Sequence, residues 1–311
     1  MNDIDPNLFS CFAIDGHTRL LGVIGHPVAH SLSPAMHNLA LDALKLNYRY
    51  LPFPVAPEHL HELVVGLKAV GCAGFNITIP HKETIIRCIG GVGAEARWIG
   101  AVNTVTLGQD GRFWGYNTDA AGFMAALDEV YQPTKARPNV ILMGAGGAAK
   151  AVVAGLLLAG EWGRITVVNR TAERAHRLLD DLMRPELLDE VGFYKNDVQL
   201  PEVEAISLKE AADLPLERCD LLVNTTSVGL NGEGSLGIDL DRLPEEAFIY
   251  DIVYSPLETP LLKEARIRGL AGANGLGMLI HQGALAFRIW TGEEMPVDMV
   301  RNHLRRLVGG I

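Results

Sequence analysis

The chain has 311 residues, of which 48% are hydrophobic and 21% are charged, a composition that excludes a disordered or fibrous protein. At roughly 150 residues per domain, this length predicts about two domains. The formal net charge is −10, from 27 Lys and Arg against 37 Asp and Glu, which argues against binding to nucleic acid or to an anionic membrane. The 4 cysteines are far apart and form no CxxC pair, so neither a zinc site nor a disulfide framework is indicated. No run approaches ~18 apolar residues and no secretory signal is visible, so we expect a cytoplasmic protein without a membrane span.

Short aliphatic or β-branched runs alternate with amphipathic stretches along the chain, which is the pattern of an α/β fold. In the first part of the chain the pattern predicts strands at Leu20–Ile24, Tyr48–Phe53 and Ala73–Ile79 and helices over Pro57–Val70 and Thr118–Val130. Ser33 is predicted to be the N-cap of a further helix, with Pro34 at its first position. The Asp110-Gly111 pair predicts a hairpin turn between strands at Val102–Leu107 and Arg112–Tyr116.

The composition changes at Tyr131–Pro138, a polar and proline-bearing segment where we expect one side of a domain junction. Beyond it, strands are predicted at Val140–Met143, Ile165–Val168, Asp220–Val223 and Phe248–Asp251. Helices are predicted from the glycine-rich turn after Met143 to about Ala159, over Met278–Trp290 and over Pro296–Leu307. The polar stretch Pro185–Pro201 is expected to be an irregular surface segment.

A glycine-rich turn lies between a predicted strand and a predicted helix. It reads Gly144-Ala145-Gly146-Gly147-Ala148-Ala149, a GxGxxA pattern. In a dinucleotide site, the first glycine makes the tight turn and the second lets the backbone approach a pyrophosphate, which the N–H groups at the helix start then bind. A simple tight turn is the alternative, but the strand before and the helix after favour nucleotide binding.

The end of the next strand indicates which nucleotide is bound. Asn169 stands 20 residues after Ala149, where an NAD site usually has an acidic residue for the ribose 2′-hydroxyl. Instead, Arg170, Thr171 and Arg174 follow, and two guanidinium groups can bind a 2′-phosphate if the helix starts at Thr171. A solvated pair of arginines is the alternative, and NADP is the cofactor that we predict.

Polar residues also mark three strand ends in the first part of the chain. Ser31 and Ser33 precede a helix and suit a polyol or a carboxylate, although capping alone would explain them. Lys82 comes just after the predicted strand Ala73–Ile79. A lysine at this position is well placed for proton transfer, although lone lysines are more often solvated. Asp119 either caps the helix that follows it or pairs with Lys82, in which case each group shifts the pKa of the other. Asn76 and Thr78 are two positions apart in the predicted strand Ala73–Ile79, and the alternation of side chains along a strand places both on the same side.

Eight segments in the same order resemble the motifs of the shikimate dehydrogenase family, and the resemblance extends from about His17 to Leu307. They are Ser31–Asn38, Gly74–Lys82, Gly100–Thr104, Gly115–Asp119, Gly144–Ala149, Asn169–Thr171, Asn224–Ser227 and Gly275–Met278.

The resemblance implies an α/β protein with a substrate-binding catalytic domain, 1–122 with 275–311, and a Rossmann-like NADP-binding domain, 123–274. It also implies reversible reduction of 3-dehydroshikimate to shikimate by NADPH, a step toward chorismate and the aromatic amino acids. The implied partners are these two small molecules, with no nucleic acid, no membrane and no metal, and the protein is expected to be a monomer or a homodimer.

The resemblance assigns roles residue by residue. Lys82 and Asp119 are implied to be the acid–base pair. The residues implied to bind substrate are Ser31, Ser33, Asn76, Thr78, Asn103, Asp119, Tyr254 and Gln282. The residues implied or predicted to bind the cofactor are Gly144, Gly146, Gly147, Ala148, Asn169, Arg170, Thr171, Arg174, Thr226, Ser227, Val253, Gly275 and Met278.

Two alternatives stay open at this point. A quinate/shikimate dehydrogenase of the same family would use NAD or NADP, and a non-catalytic sensor of shikimate or nucleotide would keep the fold without the reaction. One position departs from the family pattern, because Ala94 stands where many relatives have an acid.

Overall fold

The structure is a computed structural model that describes residues 14–193 and 199–309. Its strands are β1 (Arg19–Gly25), β2 (Tyr48–Pro54), β3 (Gly74–Ile77), β4 (Gly91–Val92), β5 (Thr104–Leu107), β6 (Phe113–Tyr116), β7 (Val140–Met143), β8 (Arg164–Asn169), β9 (Glu202–Ser207), β10 (Leu221–Asn224), β11 (Phe248–Asp251) and β12 (Ala271–Asn274). Its helices are α1 (Ser33–Ala43), α2 (Leu60–Ala69), α3 (Ala94–Ile99), α4 (Asp119–Asp128), α5 (Gly147–Ala159), α6 (Ala172–Leu182), α7 (Pro185–Glu190), α8 (Pro260–Ile267), α9 (Leu276–Thr291) and α10 (Val297–Gly309).

The chain divides into two compact units. The first contains the described part of Met1–Gly93, together with Val102–Tyr116 and Gly283–Leu304. The second contains Ala94–Ala101, Asn117–Gln282 and the described part of Arg305–Ile311. These divisions fall at other residues than the sequence-based domain boundaries at 122/123 and 274/275, which stay a prediction.

The first unit is built on a mixed sheet with the strand order β2-β1-β3-β5-β6-β4. Strands β2, β1 and β3 are parallel, whereas β5 pairs antiparallel with both β3 and β6. Val23 pairs with Asn76 in this register, and Asn76 pairs with Thr104 on the other side of β3. The predicted hairpin is confirmed, with its turn at Gly111, whose φ of 71° lies in the region that favours glycine.

The second unit is built on a sheet with the order β12-β11-β10-β7-β8-β9, in which every neighbouring pair is parallel. If β7 is numbered as strand 1 and the sheet is read from its β9 edge, the strand order is 3-2-1-4-5-6. This is the order of doubly wound dinucleotide-binding sheets. The chain reverses its direction of winding between β7 and β10, and ligands of such sheets bind at the carboxyl ends of the strands there. The predicted Rossmann-like fold of this part is therefore confirmed.

The all-parallel sheet explains the sequence of its central strands. Strands β7, β10 and β11 are buried at every position, because helices cover a parallel sheet on both faces. One apolar cluster, which includes Val152, Leu156 and Val167, fills the space between α5 and the sheet. A second cluster on other side chains of the same strands, among them Ile141 and Ile249, completes the core of this unit.

Several predicted elements differ from the observed ones. Ser33 is not the N-cap of α1: Leu32 holds that position, and the Ser31 hydroxyl accepts a hydrogen bond from the Ser33 N–H at 3.2 Å. The predicted strand to Ile79 stops at Ile77, and α6 begins at Ala172 rather than at Thr171. The expectation of an irregular segment at 185–201 is wrong for 185–190, which form α7, while residues 194–198 lie outside the described residues.

Six short elements were not predicted, namely β4, α3, α7, β9, α8 and β12. Strand β9 lies at the edge of its sheet and is half-exposed, with two glutamates among its 6 residues, so it lacks a buried aliphatic run. Strand β12 reads Ala-Gly-Ala-Asn, which has no β-branched residue. Pairing with the neighbouring strand decides the strands among them, and a local pattern does not contain that information. Among the helices of the described residues, none combines the length and the apolar character that a bilayer crossing requires.

A buried histidine lies among aromatic rings in the first unit. The ring of His37, on α1, stacks on Tyr50 with 4.4 Å between ring centroids and meets the edge of Trp290 at 5.2 Å. Phe287 is parallel to it at 6.2 Å. Burial away from water lowers the pKa of His37 to about 3, so the imidazole is neutral in the folded protein near neutral pH.

This histidine predicts a pH-dependent stability. The unfolded chain binds a proton at His37 below the ordinary pKa of 6.5, whereas the folded chain binds it only near pH 3, so stability is complete above about pH 6.5 and falls as the pH falls. Between pH 7 and pH 5, His37 should lower the unfolding free energy of the unmodified chain by about 2 kcal/mol. We expect the His37→Phe variant to lack this part of the loss. Urea unfolding at the two pH values measures this difference.

Phe287→Leu is the matched control, because Phe287 is fully buried in the same aromatic cluster and does not titrate. This variant should be less stable at both pH values by the same amount. An equal loss between pH 7 and pH 5 for His37→Phe and for the unmodified chain would contradict the prediction.

Candidate active site

Every residue predicted to bind the cofactor follows the carboxyl end of a strand of the parallel sheet. Gly144 to Ala148 follow β7, Asn169 ends β8 and Arg170 to Arg174 come after it. Thr226 and Ser227 follow β10, Val253 follows β11, and Gly275 and Met278 follow β12. Because the strands are parallel, all these ends lie at one edge of the sheet. The strand order places the glycine turn in the middle, the arginines on one side of it and the other five residues on the opposite side.

The turn after β7 requires a glycine at its first position. Gly144 has a φ of 113°, which side-chain-bearing residues rarely adopt. A Cβ added there would lie 2.7 Å from Oγ1 of Thr225, which follows β10. Thr225 in turn donates a hydrogen bond from its hydroxyl to the Met143 carbonyl at 2.7 Å. The neighbouring strand end therefore packs directly against the turn and fixes its shape.

The start of α5 offers the features of an anion site. Gly146 is the N-cap, and a Cβ added to it would meet no atom within 4 Å, so open space faces this backbone. The first N–H groups of the 13-residue helix have no acceptor inside it and carry the positive end of its dipole. The first turn of α5, which is described in full, contains no acidic residue. These features fit the pyrophosphate of a dinucleotide.

The arginines lie at the start of α6. Thr171 is the N-cap, Arg170 precedes it, and Arg174 is in the first helical turn. The Asn169 side chain donates a hydrogen bond to the Thr171 carbonyl at 2.9 Å, which holds this corner together. Both arginines are exposed. Their guanidinium groups are therefore available to a 2′-phosphate at the β8 end of the sheet.

The substrate-side residues of the first unit lie at the ends of β1 and β3 and at the start of α1. Ser33 is buried and Ser31 is half-buried, two residues before the first turn of α1. Thr78 comes directly after β3 and is half-buried. Its N–H donates to the Ile24 carbonyl at 2.9 Å, which extends the contact between β3 and β1 by one residue.

The side chain of Asn76 is already engaged inside the protein. Its Nδ2 donates to the Asn103 carbonyl at 3.1 Å and to Oγ1 of Thr104 at 3.2 Å, and its Oδ1 accepts a hydrogen bond from the Tyr50 hydroxyl at 2.6 Å. Burial raises the pKa of Tyr50 well above its ordinary value, and a hydrogen bond from Ser33 opposes part of this rise. Asn76 thus uses both amide hydrogens on protein groups and holds β3, β2 and β5 in place.

Lys82 is half-buried in a tightly bonded segment after β3. Its backbone carbonyl accepts a hydrogen bond from the Val102 N–H at 2.8 Å. The neighbouring His81 is fully buried, and its Nε2 is 2.7 Å from the Val55 carbonyl. The peptide bond between Ile79 and Pro80 is cis. This segment therefore presents the Lys82 side chain from a backbone that is anchored on both sides.

Asn103 is buried in the first unit, whereas the other predicted substrate residues, Asp119, Tyr254 and Gln282, belong to the second. Asp119 is buried at the first position of α4, but Asn117 does the capping: its Oδ1 accepts from the N–H of Asp119 at 3.0 Å and of Ala120 at 3.3 Å. Gln282 is buried on α9, and its Nε2 donates to the Leu279 carbonyl at 2.7 Å. Burial raises the pKa of Tyr254, which is half-buried three residues after Asp251. Lys82 belongs to the first unit, so its pairing with Asp119 stays a prediction.

Sequence reasoning missed three residues that organise these sites. Tyr50 orients Asn76, and Asn224 and Asp251 are fully buried polar residues at the ends of β10 and β11. In the sequence, Asn224 stands out only as part of a motif, and Asp251 only as the last residue of a predicted strand. A carboxylate at the end of an otherwise apolar strand is a signal that could have pointed to Asp251.

These observations define an α/β protein with one dinucleotide-binding unit and a second unit whose polar residues lie at strand ends. Three family models match the chain. The model of the shikimate dehydrogenase substrate binding domain matches residues 23–105, that of shikimate / quinate 5-dehydrogenase matches residues 128–227, and that of the shikimate 5′-dehydrogenase C-terminal domain matches residues 275–305. The chain belongs to the shikimate dehydrogenase family, as its sequence motifs predicted.

Individual relatives agree over nearly the whole length. The shikimate dehydrogenase (NADP(+)) of Magnetococcus marinus is 48% identical over 293 residues, which cover 94% of this chain and 98% of the relative. A crystal structure of shikimate dehydrogenase in complex with NADP+ superposes with a TM-score of 0.82 at 37% identity, covering 95% of this chain and 98% of the other. A quinate dehydrogenase from Corynebacterium glutamicum in complex with NAD superposes with a TM-score of 0.80 at 30% identity, covering 92% and 98%.

Gly146→Ala tests the glycine turn, because the substitution leaves the fold unaffected. The φ of Gly146 is −99° and no atom lies within 4 Å of the added methyl group, so we expect an unchanged melting temperature. The methyl group would occupy the space through which the backbone approaches a pyrophosphate, so NADP+ affinity should fall by at least about tenfold. Calorimetric titration and thermal unfolding measure the two quantities.

Gly66→Ala in α2 is the matched control, since its added methyl group also meets no atom within 4 Å. It should leave NADP+ affinity unchanged and raise the melting temperature slightly, because alanine has a higher helix propensity than glycine. If Gly146→Ala bound NADP+ as tightly as the unmodified chain, the turn would not be the pyrophosphate site.

Proposed function

We propose that this protein is an NADP-dependent shikimate dehydrogenase, which reversibly reduces 3-dehydroshikimate to shikimate in the route to chorismate and the aromatic amino acids. The proposal rests on one observation. The glycine turn, the two arginines and the loop after β10 that contains Thr226 all lie at the same edge of the parallel sheet. Membership of the family supplies the substrate, because the relatives that match nearly the whole chain are named for shikimate and NADP(+).

Each segment of the edge holds a different part of the cofactor. The N–H groups of Gly146, Gly147 and Ala148 bind the pyrophosphate, and Gly144 provides the turn. Arg170 and Arg174 bind the 2′-phosphate, with Asn169 and Thr171 beside them. The residues that line the nicotinamide end are Thr226, Ser227, Val253, Gly275 and Met278.

The substrate residues divide by chemistry. Ser31 and Ser33 hold the carboxylate, which the start of α1 also favours electrostatically. The ring hydroxyl groups are bound by Asn76, Thr78, Asn103, Asp119 and Gln282, with Tyr254 also on the substrate side. Both amide hydrogens of Asn76 are donated to protein groups, so Asn76 can bind the substrate only by accepting a hydrogen bond at Oδ1.

The chain's own catalytic contribution is to manage a proton and the charge that accompanies it. NADPH supplies the hydride when bound. As the carbonyl oxygen of 3-dehydroshikimate becomes an alkoxide, the Lys82 ammonium stabilises the negative charge and donates the proton at Nζ. In the reverse direction, neutral Lys82 accepts that proton. Asp119 orients the neighbouring hydroxyl group of the substrate.

The other expectations follow from the same assignment. We propose a catalytic domain over 1–122 with 275–311 and an NADP domain over 123–274, acting in the cytoplasm as a monomer or a homodimer. Shikimate and 3-dehydroshikimate are the small-molecule partners, with no nucleic acid, membrane or metal involved.

Initial rates with shikimate or quinate and with NADP+ or NAD+ test the function in four combinations. We expect the highest kcat/KM for shikimate with NADP+, since the exposed Arg170 and Arg174 are available to a 2′-phosphate. Arg170→Ala combined with Arg174→Ala should weaken NADP+ by about tenfold or more and leave NAD+ within about twofold, because only NADP+ has the phosphate.

The same four rates distinguish the alternatives. The quinate dehydrogenase that superposes on this chain makes quinate with NAD+ the second candidate, and an equal or higher kcat/KM for that combination would establish it. A folded protein that binds NADPH but turns over neither substrate would be a sensor. An equal loss with both cofactors in the double arginine variant would mean that the arginines are structural.

Lys82→Ala tests the acid–base role. Because the ammonium acts mainly in the transition state, kcat should fall by roughly 10²–10⁴ while KM for shikimate changes little. Lys68→Ala, at an exposed position of α2, is the control and should keep the full rate. Retention of more than about a tenth of kcat in Lys82→Ala would exclude Lys82 as the proton donor.

A further inference from the structure

Asp251 is a buried carboxylate for which the proposed reaction has no direct use. It is the last residue of β11 and has no exposed surface. Its three hydrogen-bond donors are all neutral. The Asn224 side chain at 2.9 Å and the Val253 N–H at 3.1 Å bind Oδ1, and the Thr259 hydroxyl at 2.6 Å binds Oδ2. Burying a carboxylate without a cation is costly, so these bonds are the natural place to look for its role.

Asn224 connects Asp251 to the next loop of the sheet edge. The two residues are directly paired in the register of β10 and β11. Besides Asp251, Nδ2 of Asn224 donates to the Val228 carbonyl at 3.1 Å. Its Oδ1 accepts two hydrogen bonds from Thr226, one from the N–H at 3.0 Å and one from the hydroxyl at 2.7 Å. Asn224 thereby closes the turn that presents Thr226.

The carboxylate decides which way round the Asn224 amide lies. Its partners are all donors, so Asp251 acts only as an acceptor and must face the Nδ2 end of the amide. The Oδ1 end is then directed at Thr226. An amide turned by 180° would place its oxygen against the carboxylate and against the Val228 carbonyl, and would lose the hydrogen bond from the Thr226 N–H. One buried group thus sets the loop after β10 and, through the Val253 N–H, the segment after β11.

We propose that Asp251 is a positioning residue for the nicotinamide end of the cofactor, acting on Thr226 through Asn224 and on Val253 directly. The inference rests on the proposed function, because it takes Thr226, Ser227 and Val253 as the residues that line the nicotinamide. It adds a residue that touches neither cofactor nor substrate and yet fixes the two neighbouring loops on which the nicotinamide rests.

Two variants interrupt the connection at different points. Asp251→Asn preserves the size of the side chain but adds a donor, so that either end of the Asn224 amide can face it. Asn224→Ala keeps Asp251 and removes the link to Thr226. Thr259→Val is the matched control, since it removes the hydrogen bond at Oδ2 of Asp251 and leaves the two bonds at Oδ1 to Asn224 and Val253. It also removes the N-cap bond of α8 to the Leu262 N–H.

The measurements separate the two ends of the cofactor. Affinity for NADP+ reports on both ends, whereas affinity for 2′,5′-ADP reports only on the adenosine end. We expect Asp251→Asn and Asn224→Ala to weaken NADP+ by about fivefold or more and 2′,5′-ADP by less than about twofold, and to lower kcat by about tenfold. The isotope effect with shikimate deuterated at the oxidised carbon should increase, because hydride transfer becomes slower. Thr259→Val should lower the melting temperature and leave NADP+ affinity and kcat within about twofold.

A purely structural role predicts a different result. If Asp251→Asn weakened 2′,5′-ADP as much as NADP+, or if Thr259→Val reduced kcat as much as Asp251→Asn, the positioning role would be refuted. Failure of the proposed function has its own signature, which is an unmodified protein that binds NADP+ but does not oxidise shikimate. In that case the comparison of NADP+ with 2′,5′-ADP still decides the role of Asp251.

Discussion

Parallel pairing of the second sheet is the constraint on which the rest of the structure depends. Six strands run in the same direction, so the chain leaves each of them at the same edge. Segments far apart in sequence, from Gly144 to Met278, are brought to that edge by the pairing of the strands that precede them. The order of the strands then assigns them positions along an extended ligand, with the glycine turn where the winding reverses.

Each unit holds its strand ends together with a buried asparagine. In the first unit, Asn76 accepts a hydrogen bond from the Tyr50 hydroxyl and donates one to Thr104 on the neighbouring strand β5. In the second unit, Asn224 donates a hydrogen bond to the Asp251 carboxylate and accepts one from the Thr226 N–H. An amide has one accepting and one donating end, so a partner of fixed character determines its orientation and everything bonded to its other end. Small polar networks of this kind give the loops of each unit a defined shape that apolar packing alone does not specify.

The position of the candidate cofactor residues could be predicted from the sequence to a large extent. The glycine turn and Asn169-Arg170-Thr171 carry their own local signals, because a required positive φ and a charge pattern are properties of a few adjacent residues. The internal engagement of Asn76 could not be predicted, since it depends on Tyr50, which is 26 residues away. Whether Asn117 or Asp119 caps α4 is a choice between residues two positions apart, which only the path of the backbone resolves.

The sequence by itself determined the alternation of strands and helices, the dinucleotide turn and the family, because periodicity, turn residues and ordered motifs are read along the chain. Only the tertiary structure decided the edge strands β9 and β12, the start of α1 at Ser33 and the partners of Tyr50 and Asp251. The physical reason is that hydrogen bonds between strands and between buried side chains join residues that are distant in sequence. Their energy depends on the register of pairing, and no local pattern of residues contains that register.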